Sequence, residues 1–231
     1  MKQSVLSMHK LIFTCCCFLL LSNCFGQFER NDIVRNQLSG GNLPWPDDSE
    51  YYEGSRYLYD EFVNGEIYTS DTVIADLPLR LNLHNVQVEF IWNDSVYQFL
   101  EVANIDRIVL DKEVFIYLNS FADTDDARFA KIWNNQFPLL LTTMNARFHP
   151  EEIGIPYVEA KPPRLEREDE HFVVTAERER FKVTTIKKLI TQFDNHAEEL
   201  SAFAKKEKIS ANNPDDLIKL LDYYRTLNGA P

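Results

Sequence analysis

Val86-Gln87-Val88-Glu89-Phe90-Ile91-Trp92 and Ser95-Val96-Tyr97-Gln98-Phe99-Leu100 flank the dipeptide Asn93-Asp94. Both runs are rich in β-branched and aromatic residues in alternation with polar ones, the pattern of half-buried strands. Asn and Asp tolerate positive φ and hydrogen-bond their own backbone, so a two-residue reversal is expected between the runs. The same grammar recurs around Asp111-Lys112, which separates 107–110 from 113–118. Extending it outward predicts further strands at 66–69, 79–83, 128–133 and 139–148, and one more hairpin from 170–175 and 178–183 beyond a Pro-rich bridge, 150–163. The whole is an antiparallel series, expected as a meander or a barrel-like sheet.

After residue 184 the apolar period changes from 2 to 3.6. Ile186, Leu189, Ile190 and Phe193 fall at i, i+3, i+4 and i+7 behind Thr184 or Thr185 as cap, which predicts a short amphipathic helix. A second helix is expected over 196–206. The third has a full start signal: Asn213 as N-cap, Pro214 at the first helical position and Asp215-Asp216 at the positive end of the dipole. Its stripe Leu217, Leu220, Leu221, Tyr224 reads as core, and Gly229 stands where a helix stops. The fold class is therefore α+β, an antiparallel sheet followed by a tail of about three short helices.

The 231 residues carry formal net charge −12, and all four cysteines, Cys15, Cys16, Cys17 and Cys24, lie near the start. Residues 1–26 hold Lys2 and Lys10, no acid, and the apolar run from Leu11 to Leu21, which reads as a secretory signal and is short for a bilayer span. Cleavage after Gly26 is the expectation; lipid anchoring at Cys24, behind Leu21-Ser22-Asn23, is the competing one. A mature chain from Gln27 would have no cysteine and net charge −14, with no disulfide, thiolate metal site or cysteine nucleophile. The expected divisions are a signal at 1–26, a poorly ordered leader at 27–53, a β domain at 54–184 and a helical region at 185–231. The last is charge-neutral, with seven basic and seven acidic residues, so the acidic excess lies before it and argues against nucleic-acid partners.

No glycine arrangement forms a phosphate loop, a dinucleotide fingerprint or a nucleophile elbow, and no two histidines stand at i, i+4. No catalytic residue, cofactor or metal site is assigned. Asp123, Asp125 and Asp126 crowd one loop but lack the glycine and closing Glu of a calcium loop. Glu168-Asp169-Glu170-His171 sets carboxylates beside an imidazole and reads as a solvated turn. The segment 47–62 alternates acids with aromatics, and Tyr51, Tyr52, Tyr57, Tyr59, Asp60 and Glu61 form a candidate binding strip: rings supply contact area and carboxylates steering.

Gly54-Ser55-Arg56-Tyr57-Leu58, Gly65-Glu66-Ile67-Tyr68, Pro78-Leu79-Arg80-Leu81-Asn82 and the C-terminal 216–224 run resemble the signatures of a group of exported proteins of Bacteroidota with no assigned activity. The resemblance spans about 54–228 and departs at Leu81, where tyrosine is usual, and at Leu83-His84. It brings no catalytic residue with it. In physical terms Gly54 and Gly65 are expected in turns entering strands, Pro78 just before a strand, and Arg80 opposite Glu89 on the next strand. For function, the reading is an exported, non-catalytic protein-binding module with an envelope partner. The alternative is a carrier of a small apolar or glycan ligand within a curved sheet. Catalysis by dispersed carboxylates is a third possibility that spacing does not address.

Overall fold

The computed structural model describes residues 38–39, 52–118, 127–154, 157, 159–193 and 195–229. Its strands are β1 Leu38–Ser39, β2 Val63–Thr69, β3 Val73–Asn82, β4 Gln87–Trp92, β5 Ser95–Phe99, β6 Ile105–Leu110, β7 Glu113–Leu118, β8 Arg128–Ile132, β9 Leu139–His149, β10 Arg164–Val174 and β11 Arg180–Lys182. Helices α1 Ile186–Ile190, α2 Ala197–Lys206 and α3 Pro214–Leu227 follow. One open antiparallel sheet runs β1-β5-β4-β3-β2-β6-β7-β8-β9-β10-β11. Two meanders thus share a seam at β2 and β6: hairpins lead outward from β2 to β5, a 3-10 turn at Val102–Asn104 returns the chain, and β6 opens the second series on the other side of β2.

Turn chemistry sets the register. Asn93 and Asp94 have φ of 48° and 59°, Asp111 and Lys112 of 44° and 69°, and the flanking pairs Trp92↔Ser95 and Leu110↔Glu113 close directly on them. Both central residues are left-handed, the two-residue loop whose twist suits a hairpin.

Three local expectations need correction. Pro78 lies inside β3, opposite Asn64 of β2; the ladder to β4 begins only at Leu79↔Phe90. A proline without an N–H therefore ends one ladder rather than opening the strand. Gly65 is also inside a strand, at the register shift before Ile67. There a Cβ would stand 2.6 Å from both the Val109 carbonyl oxygen and Leu110 Cδ2. Finally, 168–171 is no turn but the interior of β10, which pairs with β9 over eleven residues. Its far side meets β11 only at 172–174, and among the described residues 166–170 have no strand there. Alternating charges along a free edge disfavour pairing with other chains, and this is why the segment looks like solvated loop. Within 27–53, Leu38–Ser39 pairs with Phe99 and Gln98, an element that composition does not reveal.

One sheet face carries a core running from β2 to β10. Ile67, Leu79, Leu81, Phe90, Ile108, Leu110, Phe115 and Phe129 are each at most 1 % exposed. The strap preceding β2 bends the sheet around this core. Glu53 bridges Arg164 of β10 and Tyr57 bridges Asn82 of β3, although β3 and β10 lie six positions apart in the strand order. Four residues reach at most ~14 Å; with one strand spacing at each end this falls short of the about 29 Å of a flat sheet, so the sheet curls. Gly54, at φ +87°, makes the close approach possible: a Cβ would sit 2.2 Å from the Leu165 carbonyl oxygen.

The helices pack against the sheet through a second core that joins Leu140 of β9 and Val173 of β10 to Leu189, Leu200, Leu217, Leu220 and Leu221. Thr185 Oγ1 accepts from Lys188 N at 3.2 Å and Asn213 Oδ1 from Asp215 N at 3.0 Å, capping α1 and α3 as expected. Gly229 takes φ +75° just after α3.

Candidate functional site

The candidate strip divides on folding. Tyr51 lies outside the described residues. Tyr52 is half-buried, its ring edge-on to Phe148 at 6.4 Å and its hydroxyl accepting from Arg56 Nε at 2.8 Å. Tyr57 lies under the Arg80 guanidinium, 3.6 Å from its ring centroid, with Phe62 at 4.3 Å. That guanidinium donates to Glu89 at 2.8 Å across the Arg80↔Glu89 pair, the partnership expected from the sequence. Glu89 is fully buried, and Asn82 donates to its other oxygen at 3.4 Å. Burial first, then the Glu89 charge, pushes the Tyr57 hydroxyl above its ordinary pKa against the opposing arginines. Asp60 and Glu61 are exposed, and Asp60 accepts from Ser55 Oγ at 2.5 Å.

Tyr59 leads elsewhere. Its hydroxyl donates to Glu113 Oε2 at 2.7 Å, and Glu113 also accepts from Lys131. Lys131 Nζ lies over the Trp133 ring, 3.7 Å from its centroid. Trp133 Nε1 donates to Thr142 Oγ1 at 2.7 Å, which is 2.8 Å from His171 Nδ1. Side chains from the strap and four strands thus form one polar line between the two cores. Burial, then the hydrogen bond to Glu113, then the Glu113 and Asp111 charges push Tyr59 up to about 12. Burial alone would raise Glu113, but the hydrogen bonds from Lys131 and Tyr59 and the Lys131 charge outweigh it, leaving the carboxyl below its usual range.

The imidazole and carboxylates noticed at 168–171 are re-sorted by strand alternation. His171 lies opposite Thr142 and Asp169 opposite Met144, on one face, while Glu168 and Glu170 belong to the other. An open cleft of about 570 Å³ takes Trp133, Thr142, Asp169 and His171 in its wall. A larger one, about 860 Å³, lies at the rim by His84, Tyr117, Asn145 and Arg147; its wall at Ala127 adjoins 119–126, outside the described residues, as does the Asp123, Asp125, Asp126 loop. Among the described residues no group of three or more His, Cys, Asp or Glu is placed to hold a metal ion, and no helix is long and apolar enough to cross a membrane.

Sequence reasoning missed the loop between β9 and β10. Ile153 is 86 % exposed and Tyr157 fully so, the two most exposed large apolar side chains described. The available signal was the apolar run around Gly154 inside a charged neighbourhood, masked by its prolines. Comparison with known protein families, curated proteins and solved structures finds no match.

Proposed function

We propose that the chain is an exported, non-catalytic interaction module that docks a partner protein through the β9–β10 loop. The observation that carries this reading is the pair Ile153 and Tyr157, held in water on a braced neck. Glu152 and Lys161 exchange backbone hydrogen bonds at 2.9 and 3.0 Å. The Glu152 carboxylate takes Lys161 and Arg164, each at 3.0 Å, and Arg164 reaches Glu166 at 2.5 Å. These hydrogen bonds hold Glu152 and Glu166 below the ordinary carboxylate range. A braced neck reduces the ordering cost of binding, and burying each large apolar side chain is worth about 1.5–3 kcal/mol. Exposed Phe148, with Tyr52 against it, continues apolar surface toward the strap. The exposed acids Glu151, Glu152 and Glu159 around the tip favour a partner whose apolar pocket has a basic rim, and disfavour an anionic lipid surface.

A photo-crosslinking side chain placed at 153 or 157 is expected to trap one discrete protein adduct in extracts of the producing cells. The same group at exposed Val73 should give none. Adducts at all three positions, or at none, overturn the reading, as does flotation of the protein with anionic vesicles through this loop. The carrier reading finds the concave face filled by Phe90, Phe115 and Phe129, so a small ligand is better sought outside the sheet interior.

A further inference from the structure

The cleft of about 570 Å³ falls within the roughly 300–1,000 Å³ typical of small-molecule sites. Its floor is Trp133, Thr142 and His171, with Asp169, Lys182 and Asn212 around it. That floor is fixed from beneath. Thr142 is 3 % exposed, and its hydroxyl bonds both rings, Trp133 at 2.7 Å and His171 at 2.8 Å. A hydroxyl that accepts from the indole still has a hydrogen to give and a lone pair to offer, so it can hold Nδ1 in either tautomer and leaves Nε2 for a ligand. Lys131 over the indole, Glu113 on Lys131 and Tyr59 on Glu113 extend the brace to the strap. Locking two rings through one buried hydroxyl and a relay of charges is what preorganisation of a site requires.

Charge narrows the ligand. Asp169 accepts from Arg167 at 2.7 Å and Glu170 from Lys182 at 2.5 Å, so each carboxylate at the cleft already faces a cation and an ionic ligand gains no net attraction. What the cleft offers is an indole surface among carboxylate oxygens, an imidazole nitrogen and an amide. These complement a ring with an apolar C–H face and a rim of hydroxyls. We propose that the cleft binds an uncharged sugar residue of a glycan, its ring against Trp133 and its hydroxyls to Asp169, His171 and Asn212. The site lies apart from the β9–β10 loop, and binding here does not depend on docking there.

The test titrates the full-length exported protein with neutral hexasaccharides of β-glucan, mannan, xylan and poly-N-acetylglucosamine, by tryptophan fluorescence and calorimetry. At least one is expected to bind, with affinity falling tenfold or more in Trp133→Ala and in Asp169→Asn. Asp169→Asn keeps the hydrophobic contacts of both cores, so its circular dichroism and unfolding midpoint should stay unchanged, guarding against a fold defect in Trp133→Ala. Tyr157→Ser should bind as the parent does. No binding by any of the four, or binding that survives both cleft variants, overturns the proposal.

Discussion

Tyr59 and Glu113 make one hydrogen bond and two opposite pH dependences. Burial and the bond to Glu113 push Tyr59 from an ordinary 10.0 up to about 12; a raised folded pKa gives stability that is fully present below pH 10 and lost as pH rises through about 12. Glu113 is held below its ordinary 4.5, so its contribution is present above that value and lost as pH falls through the lower folded one. The expected outcome is an alkaline loss of stability above pH 10 that Tyr59→Phe reduces and leaves only in the part that Tyr57, also raised, contributes, followed by denaturant midpoints and by tyrosinate absorbance. A parent profile flat above pH 10 would contradict the assignment. Arg80 tests the other buried charge. Its removal leaves Glu89, 1 % exposed, with the amide of Asn82 as its side-chain partner among the described residues, and Arg80→Ala should cost about 3–5 kcal/mol. A double-mutant cycle with Glu89→Ala should return strong coupling, since the residues are direct cross-strand partners.

Hairpins govern the next scale. Lys112 occupies the left-handed region at φ 69° without a side chain suited to it, where an ordinary residue is strained by about 1–2 kcal/mol. Lys112→Gly relieves that strain against a smaller loss in chain entropy, and a gain of about 0.5–1 kcal/mol in denaturant unfolding is expected. The corresponding Asp94→Gly change should gain less, because Asp tolerates the conformation better. These elements show what the sequence makes legible and what it hides. The turns at Asn93-Asp94 and Asp111-Lys112, the capped start of α3 and the Arg80–Glu89 pair follow from local chemistry, and the structure realises them. Residues 166–169 of β10 are invisible because an edge with no strand beside it among the described residues carries the same charges as a loop, and β1 because two residues carry no period. The polar line from Tyr59 to His171 joins residues over a hundred positions apart; only strand order brings them together, so no local pattern announces it.

For the molecule as a whole, the question is whether the neutral helical tail is a unit of its own. Its three helices have 5, 10 and 14 residues, near or below the length at which an isolated helix is marginal in water. They bury Leu189, Leu200, Leu217, Leu220 and Leu221 against Leu140 and Val173, so the tail completes a core that the sheet begins. A change of charge and period at residue 184 marks a change of element type, and the core shared across it predicts one folding unit. Far-ultraviolet dichroism, weighted toward the helices, and fluorescence of Trp92 in a variant with Trp45 and Trp133 replaced by Phe should unfold together in one transition. Deleting 185–231 should uncover Leu140 and Val173 and yield a protein that binds hydrophobic dyes and aggregates. Two separated transitions, or a soluble and cooperative truncation, would instead make the tail an independent domain, and the cleft at Trp133 would then be a boundary between domains.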